Sequence, residues 1–376
     1  MNIAFFSDTY LPNRDGVVVS MRTTRNELEK LGHRVFIFCS GSRKAKRENR
    51  DRRVFYHTSV PFRPYPDYKL AVFPFFSSYK MKKLGIDIVH SHGMASMGLA
   101  AVSAAQKENL PSIATFHTMI PKAVHYVSKR EMVKRFMGSV AWRYLRWYYG
   151  LFDEVTCPSN HTREVLEEHG IPSIVVPNGV DTKRFNPCID PAPFRETFNI
   201  KGRKIVLHTG RLVIEKNIDL LIDSALLIKE EVPNVLFLIV GDGPAKEHYK
   251  ERVMAEHLEK DFLFTGFVPD GLLPFAYASC DVLAFPSLFD TQGLVALEGM
   301  ACGKPVAAAK GSASEDIVKN GLNGYLFENN PDDCADKIVK TIKRAKALGP
   351  NARKSSLLFS KERCTKRLAG VYRRLL

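Results

Sequence analysis

No two of the seven cysteines in this 376-residue chain form a C-x-x-C pair, and all of them (39, 157, 188, 280, 302, 334 and 364) are scattered singly. An odd, dispersed set excludes a disulfide framework and a cysteine-based zinc site, and fits reduced thiols. No run of 18 apolar residues occurs, so no membrane-crossing helix is expected. The opening MNIAFFSDTYLP carries no basic leader and reaches Asp8 too early for a secretory signal, which gives the expectation of a cytoplasmic protein. Low-complexity stretches and recognisable internal repeats are missing as well. Neither half opens with G-x-G-x-x-G; the first turn, SDTYLPNRDGVV, offers a single glycine, Gly16, so a nicotinamide-dinucleotide fingerprint is excluded there.

What is present has the composition of an ordinary globular protein, 45% hydrophobic and 25% charged. The length exceeds one comfortable core and predicts two domains. The net charge of +15 is unevenly spread. Residues 1–178 hold 26 Lys/Arg against 15 Asp/Glu, residues 179–342 hold 18 against 24, and residues 343–376 hold 11 against 1. A basic first half suits an anionic membrane surface, a phosphorylated substrate or a nucleic acid, and charge alone does not choose among them.

Along the chain, short apolar segments alternate with amphipathic ones. MNIAFFSD, RVFIFCS, DIVHSH, SIATFH, EVTCPS and SIVVPN read as strands, separated by helices near residues 20–31, 95–107 and 162–169. After NGVDTKRFNP the pattern restarts with KIVLHTGRL, VLFLIVGDGP, FLFTGFV, DVLAFPS and PVAAAKG, around helices near 220–231 and 245–256. Alternation of this kind predicts an α/β protein of two Rossmann-like, doubly wound parallel sheets. The expected division is 1–178, 179–355 and a terminal helix over 356–376. Ligands of such sheets bind beyond the carboxyl ends of the strands, where Asp8, Gly16, His90, His92, His117, Arg211, Gly241 and Asp290 fall, facing one expected cleft between the domains.

The segment FPSLFDTQGLVALEGMACGKPVAA sets Asp290 and Glu298 eight residues apart. With a helix over 291–302, stopped at Gly303, the two carboxylates lie roughly 12 Å apart along the axis. That is too far for a glycosidase acid/base pair, which needs roughly 5–9.5 Å, and suits gripping two ends of an extended ligand, with the helix N-terminus offering N–H groups to an anion. The plainer alternative is a capping Asp and a solvated Glu.

Taken in order, DTYLPNRDGV, HSHG (90–93), TFHT (115–118), VPNGVDTKRF (176–185), HTGRLVIEKN (208–217), VGDGP (240–244), FTGFVPDGLLPFAYASCDVLAFPS and the Asp290–Glu298 segment resemble the retaining glycosyltransferases of family four, across residues 1 to about 330. The resemblance implies the GT-B fold, two Rossmann-like domains facing across a cleft, with the C-terminal helix crossing back to the first. It implies a nucleotide-sugar donor, UDP- or GDP-linked, a hexose moved with retention, and neither cofactor nor metal. By the same resemblance Arg211 and Lys216 meet the departing diphosphate, Glu298 the ribose and Asp290 the donor sugar. Asp290 stands where the family usually has glutamate, which puts sugar specificity in question. His117 resembles the histidine near the reacting carbon. Gly16, Gly241, Phe267, Gly293 and Leu294 complete the implied donor site, and His92 and His125 an acceptor site; His90 reads as structural. No protein base is implied, because the leaving phosphate takes the acceptor's proton.

TFHTMIPKAVHYV and DTQGL look most like the lipid-glycosylating members: diacylglycerol glucosyltransferases, sulfoquinovosyl transferases and phosphatidylinositol mannosyltransferases. Independently, residues 129–152 combine six Lys/Arg with Trp142, Tyr144, Trp147, Tyr148 and Tyr149 at helical spacing, the composition of an interfacial helix. An equal alternative is a core face with solvated cations. Residues 43–53 add seven cations. The expected partners are a nucleotide-sugar, a lipid or glycolipid acceptor and an anionic membrane, with the protein peripheral on its cytoplasmic face. A soluble acceptor, a sugar-nucleotide 2-epimerase of the same fold and, behind these, a polyanion binder stand as alternatives. Nucleic acid is not expected, since no recognition module is present and residues 179–342 are acidic.

Overall fold

The computed structural model describes residues 1–13, 15–62, 65–72, 74, 77–119 and 131–376. It divides into two units, Met1–Gly179 together with Lys361–Leu376, and Val180–Ser360.

The first unit is built on strands β1 (Asn2–Ser7), β2 (Arg34–Gly41), β3 (Val54–Phe62), β4 (Tyr65–Ala71), β5 (Ile88–Ser91), β6 (Ser112–Thr115), β7 (Glu154–Cys157) and β8 (Ile174–Val175), in the order β4-β3-β2-β1-β5-β6-β7-β8. All neighbours are parallel except β3 and β4. The central strands are continuous apolar runs because helices cover both faces, and side chains alternate between two cores. Ile3 and Phe5 pack with Met21, Leu28 and Tyr372, whereas Ala4 and Phe6 pack with Met97, Ala100 and Ala101.

The second unit carries β9 (Lys204–Thr209), β10 (Val235–Val240), β11 (Phe262–Gly266), β12 (Val282–Phe285), β13 (Val306–Ala309) and β14 (Gly324–Phe327), all parallel, in the order β11-β10-β9-β12-β13-β14. Here too alternate residues serve opposite cores: Val206, Phe237 and Ile239 meet Leu221 and Ile228, while Leu207, Leu236 and Leu238 meet Ala296, Leu297 and Met300.

Several elements depart from the sequence-based expectation for local reasons. The first helix begins at Gly16 rather than Ser20, because the Asp15 carboxylate caps it by accepting from Val18 N–H at 2.9 Å. The helix expected over 220–231 is two, Ile218–Asp223 and Ala225–Glu231; between them Ser224 donates from its Oγ to the Leu220 carbonyl at 2.7 Å, a back-bond that disturbs helical continuity. The helix expected over 291–302 spans only Leu294–Ala301, since Gly293 ahead of it adopts φ +83°.

β3 and β4 were not legible, as Pro61 argues against a strand. It is tolerated because β2 pairs with β3 only as far as Thr58. The helix Lys361–Leu375 joins the first unit, where Lys361 lies 3.4 Å from the Glu27 carboxylate. The basic tail is therefore split. The first unit holds 32 Lys/Arg against 16 Asp/Glu and the second 23 against 24, so the second is near neutral rather than acidic.

Candidate functional site

In the first unit, the carboxyl ends of β1, β5 and β6 deliver Asp8, His90, His92 and His117 to one place. His92 Nδ1 lies 2.9 Å from His117 Nε2. His90 stacks obliquely on His92 with ring centroids 4.0 Å apart, and Phe5 packs edge-on against His92 at 4.6 Å. Both nitrogens of His90 are engaged, Nδ1 with the Tyr372 hydroxyl at 2.6 Å and Nε2 with Thr115 Oγ1 at 2.7 Å, and Thr115 continues to Thr156 at 2.7 Å. Burial pushes the pKa of His90 and His92 far down and that of His117 to about 4, so all three rings are neutral at pH 7. His92, His117, Ser20, Thr115, Thr156 and Asn178 are among the residues lining a cavity of about 20 Å³.

Asp8, grouped with these residues from the sequence, has a different task. Its buried carboxylate accepts from the backbone N–H of Ala95 (2.9 Å) and Met97 (2.8 Å) and from Ser96 Oγ (3.2 Å), holding the start of the helix Ser96–Glu108. Burial raises its pKa. Gly16 is exposed at the first position of its helix, with no atom of the described residues within 4 Å of where a Cβ would stand; none of these residues requires glycine there. His125, Lys129 and Arg130 lie outside the described residues.

In the second unit, the loop after β9 presents Arg211, exposed, and a short turn Ile214–Lys216 brings Lys216 round to the loop after β12. The Lys216 ammonium donates to both oxygens of Asp290, at 2.7 and 2.8 Å. Burial alone would raise the Asp290 pKa; Lys216 overrides it and holds the carboxyl below its ordinary value. The turn is fixed by Asn217, at φ +56°, whose amide donates to the Pro286 carbonyl at 3.2 Å.

Beneath the pair, His208 is buried, with no partner for Nε2 among the described residues and its pKa lowered to about 4 by burial and by Lys216. Along the helix Leu294–Ala301, Glu298 accepts from the Tyr277 hydroxyl at 2.6 Å, and burial pushes its carboxyl up to about 7 against the lowering effects of Tyr277 and Arg184. Phe267 is 60% exposed. Gly241 is required by the chain itself: at φ +139°, a Cβ there would stand 1.8 Å from the Gly210 carbonyl oxygen. A Cβ on Gly293 would press on the Phe285 ring at 3.1 Å.

Sequence reasoning named Arg211, Lys216, Asp290, Glu298, His92 and His117, and missed the Lys216–Asp290 pairing together with Tyr277, Tyr372 and His208. Tyr277 stands 21 residues before Glu298, and no local periodicity links them. Among the described residues no group of three or more His, Cys, Asp or Glu is arranged to hold a metal ion, and no helix is long and apolar enough to cross a membrane.

Two Rossmann-like domains, each with polar side chains gathered beyond the carboxyl ends of its strands, are the architecture of the GT-B class. The chain belongs to glycosyltransferase family 4: residues 14–184 match the Glycosyltransferase Family 4 domain, and residues 192–355 match the Glycosyl transferases group 1 domain. It is 31% identical to the alpha-monoglucosyldiacylglycerol synthase of Streptococcus pneumoniae, over 91% of this chain and 78% of that one. It is 27% identical to the synthase of the same name from Acholeplasma laidlawii, over 99% and 96% of the two chains. Among solved structures, Anabaena HepE in complex with UDP superimposes with a TM-score of 0.79 at 20% identity over the whole of both chains, which bears on the fold.

Proposed function

We propose that this protein transfers a hexose from a UDP- or GDP-sugar, with retention, to a hydroxyl of a membrane lipid, working peripherally on the anionic cytoplasmic face without metal. In this reading the bond from the sugar's anomeric carbon to the diphosphate oxygen breaks, the acceptor oxygen bonds to the same face of that carbon, and the acceptor's proton passes to the departing phosphate. Arg211 and Lys216 stabilise the charge growing on that phosphate, which in a preorganised site is worth several kcal/mol. Asp290, tethered to Lys216, receives the sugar hydroxyls and Glu298 the ribose. Gly16, Gly241, Phe267, Gly293 and Leu294 shape the donor site. Neutral His117 lies beside the reacting carbon, and His92 on the acceptor side.

The observation that carries the lipid reading is the outward face of the helix Glu131–Tyr149. Met132, Phe136, Val140 and Trp147 are 83, 70, 47 and 54% exposed, while Leu145, Tyr148 and Tyr149 are buried behind them. At 100° per residue the exposed apolar side chains, with Val133 and Tyr144, cover an arc of about 120°. Exposed Arg135, Arg143 and Arg146 border or enter it. An apolar stripe with a cationic margin, on a unit of net charge +16, matches an anionic bilayer surface. The two similar synthases, named for a glucosylated diacylglycerol, support the same acceptor class. Incubation with radiolabelled UDP- and GDP-hexoses and anionic vesicles carrying a lipid extract tests it: label is expected in the organic phase, and label released only as free sugar or as an epimerised nucleotide-sugar would reject it.

A further inference from the structure

We propose that Tyr372, on the C-terminal helix, is a positioning residue for the His92–His117 pair: its hydroxyl donates to His90 Nδ1 and holds the His90 ring as the backing on which His92 is set; this rests on the transferase reading above, in which His117 lies beside the reacting carbon. The hydroxyl and Nδ1 are 2.6 Å apart, and both side chains are buried.

The direction of this bond follows from the protons along the chain it begins. His90 is neutral and carries one ring N–H. Its Nε2 lies 2.7 Å from Thr115 Oγ1, Thr115 Oγ1 lies 2.7 Å from Thr156 Oγ1, and Thr156 Oγ1 reaches the Ala114 carbonyl at 3.4 Å. With Tyr372 donating, His90 keeps its proton on Nε2 and gives it to Thr115, Thr115 donates to Thr156, and Thr156 to the carbonyl. Every donor then has an acceptor. With the proton on Nδ1 instead, His90 would donate to Tyr372, and the buried tyrosine proton would have no acceptor among the described residues, a deficit that folded proteins rarely carry. The Tyr372 hydroxyl therefore selects the His90 tautomer.

A His90 ring bonded at both nitrogens cannot turn without losing a bond, and His92 rests on it. The His90 and His92 centroids are 4.0 Å apart, Phe5 meets the two rings edge-on at 5.3 and 4.6 Å, and Tyr372 meets His90 edge-on at 5.7 Å. His92 Nδ1 in turn lies 2.9 Å from His117 Nε2. Small misplacements of a group beside a reacting carbon are costly in rate. The helix that brings Tyr372 begins at Lys361, where the chain returns from the second unit, so the histidine cluster is complete only with the last helix in place.

Two measurements decide it. Tyr372→Phe keeps the ring and removes the hydroxyl. With UDP- and GDP-hexoses and dioleoylglycerol in anionic vesicles, kcat is expected to fall about tenfold, the upper worth of one neutral hydrogen bond, with both KM values within about twofold. Val371→Ala, which trims a buried neighbour on the same helix and leaves the hydroxyl, should lower Tm by at least as much and keep kcat within about twofold. An unchanged kcat in Tyr372→Phe, or equal falls in the two variants, overturns the proposal.

In protein labelled with nitrogen-15 in its histidine rings, His90 should be protonated on Nε2, with Nδ1 accepting a hydrogen bond. Tyr372→Phe should shift the His90 Nδ1 resonance and, beyond it, those of His92 and His117. A proton on His90 Nδ1, or His92 and His117 resonances indifferent to the substitution, overturns the assignment. Responses at all three histidines in a protein that transfers no sugar would leave the arrangement standing and remove the transferase reading instead.

Discussion

The ammonium of Lys216 is shared evenly by the two carboxylate oxygens of Asp290, at 2.7 and 2.8 Å, across 74 residues of sequence. The pair ties the loop after β9 to the loop after β12, the two segments proposed to receive phosphate and sugar, and it sits in a half-buried setting, with side chains 19 and 25% exposed. One proposed phosphate-binding cation is thereby aimed by the very carboxylate proposed to hold the sugar.

Loss of either partner should therefore be felt twice. Asp290→Asn is expected to cost about 1–3 kcal/mol of stability, between the worth of exposed and buried pairs, together with a fall in kcat. Asp290→Glu, which keeps the charge on an arm one methylene longer, should retain stability and shift the preference among donor sugars. Thermal unfolding and a donor panel measure the two effects separately.

Arg211→Ala and Lys216→Ala should each lower turnover on the order of tenfold to a thousandfold, by analogy with the roughly hundredfold to thousandfold loss when one preorganised donor to a developing oxyanion is removed. Near wild-type turnover in both variants would refute their role. Addition of a chelator should leave turnover unchanged; a loss restored by Mg²⁺ or Mn²⁺ would contradict a cleavage assisted by these two cations alone.

Glu298 yields a pH signature. Its folded pKa, about 7, lies above the ordinary 4.5, so the folded state binds more protons than the unfolded one between these values. Stability should fall as pH rises from about 4.5 to 7, and Glu298→Gln should flatten that slope. Ribose hydroxyls hydrogen-bond better to a carboxylate than to its acid, so the donor KM should decrease through pH 7 in the wild type and not in the variant. Unfolding scans and KM values at several pH values are sufficient to check both.

Vesicle sedimentation tests the outward face of the helix Glu131–Tyr149. Phe136→Glu with Trp147→Glu should release the protein from anionic vesicles with little change in Tm, as both side chains are exposed. Neutralising Arg135, Arg143 and Arg146 should weaken binding roughly a hundredfold, at about 1 kcal/mol each, and added salt should do likewise as the Debye length falls below about 8 Å.

Much of this was readable in the sequence because parallel strands buried on both faces are unbroken apolar runs, and the site residues follow directly on their carboxyl ends: His90 and His92 after DIV, Arg211 after KIVLHTG. Residues placed by long-range packing were not readable. Tyr372 reaches His90 from the far end of the chain, 282 residues away, and Tyr277 meets Glu298 between two helices. The composition of the helix over 131–149 fits a core face and an interfacial face equally. One face is core, since Leu145 and Tyr148 are buried, and the other, with Phe136 and Trp147, is exposed; an aromatic count cannot separate two faces of one helix. Within the basic run at 43–53, Arg53 pairs with Glu29 at 2.8 Å, a contact that a count of cations does not reveal.

The central claim is retaining transfer to a lipid hydroxyl, and the anomeric configuration of the product measures it most directly. Wild-type protein, a UDP- or GDP-hexose and anionic vesicles containing dioleoylglycerol are incubated in chelated buffer, and the organic phase is analysed by proton NMR. The account predicts a glycosylated lipid whose anomeric coupling matches that of the donor. An inverted anomer, or sugar found only in the aqueous phase, would contradict it.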